Sequence, residues 1–269
     1  MTEFLAKPLG LLLKFIYDIF EGIGLDFSVL SAYALAVIVT TIIFKLLLLP
    51  LTLKQMKSMK EMQKVQPLLK ELQDKYKNDK ETLQKKTVEI YQEHKINPAG
   101  GCLPLLIQFP IILAYFKVMR EPIKYVFSSE AIFSAVNRSF LWINDISLPA
   151  NFIGEGIKNG MGLAEGVVNG IGLPFSIPFL GSALPILGIL AALTTYLSTK
   201  ATQPGTQGAV KGNDAMAQQQ KIMTMMMPVM IFVFALTMSA GLVIYWVIGN
   251  LFTMVQYIVL NRAQGAKEA

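Results

Sequence analysis

Ile222–Leu260, IMTMMMPVMIFVFALTMSAGLVIYWVIGNLFTMVQYIVL, is a run of 39 residues without a charge. As one helix rising 1.5 Å per residue it would be about 58 Å long, nearly twice a hydrocarbon core of about 30 Å. The run therefore predicts two spans folded back on each other, 222–238 and 241–260, with Ser239-Ala240-Gly241 as the tight turn. Three further apolar runs precede it. Residues 28–53 contain a single ionisable side chain, Lys45; Cys102–Met119 has only Lys117, and the span extends past Pro122 to give 102–127; residues 179–199 are uncharged. The expected fold is all-α and polytopic, with five transmembrane helices.

Composition agrees with lipid as the solvent. The 269 residues are 53% hydrophobic and only 16% charged, with mean hydropathy +0.49, whereas a soluble domain carries about a quarter charged residues. A net charge of +6 and pI near 9.2 would suit nucleic acid, but the basic residues sit beside apolar spans, where topology explains them. One cysteine, Cys102, and one histidine, His94, argue against a disulfide framework or a Cys- or His-based metal centre. No catalytic triad, phosphate loop or paired carboxylates are visible. The chain is therefore not expected to be an enzyme, nor to need a cofactor or metal.

Counting charges orients the spans. Loop 54–97, loop 200–221 and the tail 261–269 hold 16 basic and 9 acidic residues, against 6 and 9 for 1–27 plus 120–178. The positive-inside rule puts the first set in the cytoplasm. Five spans then give N-terminus outside, C-terminus cytoplasmic. Residues 1–27 read as an interfacial amphipathic helix. Glu3, Lys7, Lys14, Asp18 and Glu21 fall near one stripe, and Leu5, Leu9, Leu12, Leu13, Ile16, Ile19 and Phe20 on the other side. A cleaved signal peptide is the alternative.

Two soluble pieces remain. Residues 54–101 predict a cytoplasmic helical hairpin. Val65, Leu68, Leu69, Leu72 and Tyr76 keep a helical period, as do Leu83, Thr87, Ile90 and Tyr91 beyond a turn near Asn78-Asp79, and Pro67 kinks or restarts the first helix. A solvated helix pair and a landing surface for a ribosome, a targeting factor or a nascent chain both fit. Residues 128–178 form an extracytoplasmic Gly-rich loop, with an interfacial cluster Phe140-Leu141-Trp142-Ile143 and no period between Gly154 and Gly172.

Lys45 demands an account. A lysine at mid-helix depth costs about 2.5–3.5 kcal/mol on insertion scales, and Lys45 lies about 12 Å of helix rise from the end of its span at Leu53. Either it snorkels to the headgroups or it faces a hydrated cavity. Thr41 lies one turn before it on the same face. Gln108 lies inside the second span, and Trp246, Asn250, Thr253 and Tyr257 recur at helical spacing in the fifth. Singly, such residues serve interhelical hydrogen bonds. Together, with no intramembrane carboxylate, they point to a wet pocket of positive potential, unlike a proton- or cation-coupled carrier. Met223, Met225, Met226, Met227 and Met230 crowd the fourth span. Flexible thioethers suit a surface that accepts varied apolar partners, although ordinary packing uses them too.

The stretch Asn97-Pro98-Ala99-Gly100-Gly101-Cys102-Leu103-Pro104-Leu105-Leu106-Ile107-Gln108-Phe109-Pro110 closely resembles the entry to the second core span of the YidC-type membrane protein insertases. Gln66-Pro67-Leu68-Leu69-Lys70-Glu71-Leu72, Tyr76-Lys77-Asn78-Asp79, Leu49-Pro50-Leu51-Thr52, Phe140-Leu141-Trp142-Ile143 with Asp145, and Asn250-Leu251-Phe252-Thr253 through Gln256 and Asn261-Arg262 are similar to the family as well. The resemblance runs from about residue 28 to 262, and the short N-terminus looks like the Gram-positive or clostridial form. It implies five helices around a hydrophilic groove open to cytoplasm and lipid but closed outside. A basic residue belongs in the first span, usually arginine where this chain has Lys45. The Gly-rich outer insertion is a second departure.

On that resemblance the groove is expected to comprise Lys45, Thr41, Gln108, Trp246, Asn250 and Thr253. The apolar slide for a substrate helix would be Ile111, Tyr115, Met223, Met226 and Met230. Expected partners are nascent membrane proteins and the lipid bilayer, with a ribosome, targeting factors and a Sec-type translocon at the hairpin and tail. A small-solute transporter and a purely structural assembly factor are the rival readings. A transporter would show a midplane site of broken helices; an assembly factor could not insert a helix alone.

Overall fold

A computed structural model describes residues 2–94, 96, 103–149, 169, 171–177, 181–202 and 222–268. The protein is mostly helical: α1 (Thr2–Gly22), α2 (Ala32–Leu47), α3 (Leu49–Lys75), α4 (Lys80–Glu93), α5 (Leu103–Arg120), α6 (Glu130–Ala135), α7 (Ile186–Thr202), α8 (Met227–Thr237) and α9 (Ala240–Glu268). Single π-helical turns occupy Ile123–Phe127 and Ile222–Met226. By length and composition Ala240–Arg262 could cross a bilayer alone, and α2 with α3 passes the same test as a pair bent by 63°. Ile186–Thr202 and Thr224–Thr237 are shorter apolar helices.

Local chemistry sets these boundaries. Ser31 caps α2 by accepting from Ala34 N at 3.1 Å while its hydroxyl donates to Ser139 O at 2.7 Å, and Asp26 Oδ1 accepts from Ala32 N. The apolar run 28–53 is not one straight helix. It breaks at Leu48, and Pro50 sits in the first turn of α3, where a missing N–H breaks no helical bond. α3 then runs unbroken through Pro67, where the sequence suggested a kink or restart. It folds back on α4 through a small cluster of Val65, Leu69, Tyr91 and Ile96. Asp79 caps α4, accepting from Thr82 N at 3.0 Å.

The run 222–260 does fold back, with the turn at Met238–Ser239 and α9 starting at Ala240, one residue earlier than the expected span. α9 continues past the expected end at 260 as far as Glu268. Two expectations for the preceding loop need correction. Residues 128–178 are not wholly irregular, because Ile171–Ile177 pairs antiparallel with Gly181–Leu184. Helix α7 consequently begins at Ile186, after Pro185, and not at 179. In the sequence Ile171, Leu173, Phe175 and Ile177 alternate with Gly172, Pro174 and Ser176, a period of two that signals a strand. Pro174 suits a two-stranded ribbon, whose strands are both edges.

The main core joins α1, α2, α5, α7 and α9 around Leu9, Leu13, Tyr33, Val37, Tyr115, Phe127, Leu187, Ile244 and Tyr245. α1 is bound into this core by Ala6, Leu9, Leu13, Ile16 and Tyr17, while Phe4, Leu11 and Phe15 remain exposed on its other side. Its apolar surface is therefore divided in two, where the sequence suggested one. The end of the bundle away from the α3–α4 hairpin is closed by the segment 138–149. Arg138 Nε donates to Asp145 Oδ2 at 2.8 Å, and Ile146 O and Leu148 O accept at 2.7 Å from Gly241 N and Ala240 N across the α8–α9 turn. Asn169, fully buried, accepts from Asn144 N and Asp145 N and donates to Asp145 O and Pro149 O.

Candidate functional site

A cavity of about 210 Å³ lies in the half of the bundle nearest the α3–α4 hairpin. Lys45, near the C-terminal end of α2, projects into it. Gln108 of α5 and Tyr245, Trp246, Gly249, Asn250, Thr253 and Gln256 of α9 line it, as do Thr195, Ser198, Thr199 and Thr202 of α7 and Thr52 and Gln55 of α3. Asp and Glu are missing from this lining among the described residues. Lys45 is half-buried, and its ammonium donates to Gln108 Oε1 at 3.5 Å. No carboxylate among the described residues forms an ion pair with it. Gln108 in turn donates to Tyr245 OH. A cation thus faces a cavity whose other polar groups, among the described residues, are neutral.

One layer deeper Tyr115 and Tyr245 are both buried. They stack with centroids 4.0 Å apart, and Thr41 Oγ1 lies 3.2 Å from Tyr115 OH. On the α7 side Trp246 Nε1 donates to Thr195 Oγ1 at 2.9 Å, and the Asn250 amide meets the same oxygen at 2.9 Å. Thr253 Oγ1 donates back to Gly249 O. Gly249 makes room for the cation, since a Cβ there would stand 3.1 Å from Lys45 Cε.

The structure thus gathers Lys45, Gln108, Trp246, Asn250 and Thr253 around one cavity. Thr41 does not line it; the hydroxyl is wholly buried, donating to Val37 O and contacting Tyr115. The residues expected on an apolar slide are scattered. Met226, in the π-helical turn before α8, is 61% exposed and Met230 on α8 46%. Ile111 is half-buried, and the side chain of Met223 lies outside the described residues. Tyr115 is completely buried by its stacking on Tyr245, which removes it from any such surface. A second, apolar cavity of about 250 Å³ lies between α5, α8 and α9, lined by Ile112, Phe116, Phe234, Met238, Leu242 and Trp246 among others. Trp246 therefore separates a polar from an apolar space.

Sequence reasoning missed α7. Its hydroxyls recur at Thr195, Thr199 and Thr202, spaced by four and three, and that stripe was a readable signal. Gln55 was missed because it falls outside the apolar runs. No group of three or more His, Cys, Asp or Glu among the described residues could hold a metal ion.

Apolar helices packed around a half-buried lysine suit a helical membrane protein, and comparison with known proteins gives the class. Residues 25–267 match the family described as 60Kd inner membrane protein. The chain is 34% identical over 269 residues to "Membrane protein insertase YidC 1" of Listeria monocytogenes, covering 97% of this chain and 71% of that one. It is 35% identical over 243 residues to "Membrane protein insertase YidC" of Oceanobacillus iheyensis, covering 88% and 78%. A Pelobacter propionicus protein of the same name is 34% identical over 258 residues, 96% of this chain but 38% of the relative's length. The chain belongs to this family, the YidC-type insertases, and is a bacterial membrane protein. It spans little more than a third of the Pelobacter relative and about a third of a relative from Chlorobium luteolum.

Proposed function

We propose that this chain is a membrane protein insertase, and that the Lys45 cavity is the place where a polar tail is received on its way across the bilayer. The observation that carries the reading is a half-buried ammonium facing a cavity without a carboxylate among its described lining. The chain crosses the membrane five times, N-terminus outside and C-terminus in the cytoplasm, so the cavity opens on the cytoplasmic side next to the α3–α4 hairpin. That hairpin and the tail receive the ribosome, targeting factors or a Sec-type translocon. The names of the relatives support the activity.

The work is non-covalent. An acidic tail enters from the hairpin end, drawn by Lys45. The amides and hydroxyls of α5, α7 and α9 replace part of its lost water, which lowers the barrier to dehydration. The apolar segment passes into lipid beside α5 and α8, where the second cavity supplies a wholly apolar lining. Trp246 stands between the two routes. Apolar burial drives the step, and the membrane potential helps carry an acidic residue outward by about 2.3 kcal/mol per charge per 100 mV.

Reconstitution of the purified full chain in liposomes tests the reading with a single-span substrate bearing an acidic tail. Lys45→Arg keeps insertion, because the charge remains. Lys45→Ala and Lys45→Glu impair it. Insertion at the wild-type rate by Lys45→Glu would reject the mechanism.

A further inference from the structure

Gln55 carries an unexplained amide. Its side chain is only 6% exposed, it lines the Lys45 cavity, and its Nε2 has no hydrogen-bond partner among the described residues. A buried donor without an acceptor destabilises a fold, and leucine or methionine would fill the same space without that loss. The neighbouring Thr52 hydroxyl donates to Leu49 O at 3.0 Å and accepts from Gln256 Nε2 at 3.3 Å, and no hydrogen bond joins it to Gln55 Nε2.

The α7 wall has the opposite character. Thr199 Oγ1 donates its proton to Thr195 O at 2.8 Å, and Thr202 Oγ1 donates to Ser198 O at 2.9 Å. A hydroxyl has one proton and two lone pairs. With those protons bound to their own helix, Thr199 and Thr202 offer the cavity acceptors. Thr195 oxygen is already engaged by Trp246. The wall of the cavity therefore holds, on α3, a buried neutral donor without an acceptor just behind its surface and, on α7, neutral acceptors.

We infer that Gln55, with Thr199 and Thr202, forms a site that reads the peptide main chain of a transiting segment: the unpaired Gln55 amide turns to bring Nε2 from the wall into the cavity and donates to the segment's carbonyls, and the two threonine oxygens accept from its N–H groups. This rests on the proposed insertase reading and gives it a substrate class, extended polypeptide regardless of side chain. The tails of different substrates share only the peptide group. Each backbone donor and acceptor stripped of water needs a replacement, and neutral groups supply one without selecting for charge. Lys45 then favours acidic tails, while Gln55 and the threonines serve every tail.

The test uses the full chain in liposomes with two single-span substrates, one with an acidic tail and one with an uncharged Gly/Ser tail, comparing wild type, Gln55→Met and Lys45→Glu. Gln55→Met should slow both substrates by a similar factor, about fivefold for one neutral hydrogen bond. Its thermal unfolding temperature in detergent should be unchanged or raised, because a buried unpaired donor has been removed. Wild-type rates with both tails overturn the inference, as does a loss confined to the acidic tail, which would make Gln55 an adjunct of the cation. A rate loss matched by a lower unfolding temperature also overturns it, since that marks a structural role. The readings separate cleanly. Lys45→Glu impaired with Gln55→Met normal removes only the main-chain site, whereas Lys45→Glu at the wild-type rate removes the insertase mechanism and this site with it.

Discussion

Lys45 lies against Gly249, so that a Cβ at 249 would be 3.1 Å from Cε and 3.6 Å from the ammonium nitrogen. Glycine in mid-helix costs about 0.5–1 kcal/mol relative to alanine, and here the space is used by the Lys45 side chain. Gly249→Ala requires the lysine stem to move by a few tenths of an ångström, which a flexible chain allows. Gly249→Leu requires the ammonium to leave its place beside Gln108. In the liposome assay Gly249→Ala should stay close to wild type, and Gly249→Leu should fall to the level of Lys45→Ala while the protein remains folded. Equal activity of the two variants would show that the position of the cation is immaterial.

Thr195 joins α7 to α9 by accepting from Trp246 Nε1 and meeting Asn250, while its proton goes to Ala191 O at 2.6 Å. Thr195→Val keeps the shape and removes the oxygen, leaving the indole N–H unpaired. Interhelical hydrogen bonds in membrane proteins contribute about 0.6–2 kcal/mol, so unfolding in detergent should show a loss of that size. Trp246→Phe in the same background should add little further loss. Additive losses would mean that the two side chains act independently.

Much of the helical plan was legible because hydropathy registers long apolar runs, and the fold-back of 222–260 followed from length alone. The 63° break at Leu48 was not. Residues 46–51 are Leu and Pro throughout, and hydropathy has the same value on either side of a bend. Lys45, Gln108 and Asn250 stood out as polar residues in apolar surroundings. The hydroxyls of α7 did not, because threonine and serine hardly alter a hydropathy average and bond back to their own helix. Tyr115 was misassigned because a tyrosine on an apolar helix reads the same whether it faces lipid or stacks on Tyr245. The ribbon at Ile171–Leu184 was hidden by the glycines before it, although its alternation was present.

Gly10 sets how closely α1 docks. A Cβ there would collide with the carbonyl oxygen of Tyr125, a backbone atom that has little room to yield. Nearby, Lys124 Nζ donates to Glu3 Oε1 at 3.3 Å and holds the Glu3 carboxyl below its ordinary value. Gly10→Ala should cost about 1–3 kcal/mol by overpacking, despite the better helix propensity of alanine. Hydrogen exchange should then rise across residues 2–22. Gly22→Ala, with nothing within 4 Å of its Cβ, is the control and should leave exchange in α1 unchanged or slower. Similar behaviour of the two variants would mean that α1 is not held by this contact.

The α4 cap gives the hairpin a pH dependence of known sign. The hydrogen bonds from Thr82 hold the Asp79 carboxyl below its ordinary value of 3.8. A carboxylate whose pKa is depressed on folding adds stability that is fully present above the unfolded pKa and is lost as pH falls through the folded one. Helix α4 should therefore hold its N-terminal turn at pH 7 and fray progressively below about pH 4, seen as faster hydrogen exchange over 82–85 after correction for the intrinsic rate. Asp79→Asn keeps a capping oxygen without the titration, so its α4 should show no such loss at acid pH. Asp79→Ala should fray at every pH. If Asp79→Asn frayed with the same acid midpoint as wild type, the pH dependence would belong to another group and not to this cap.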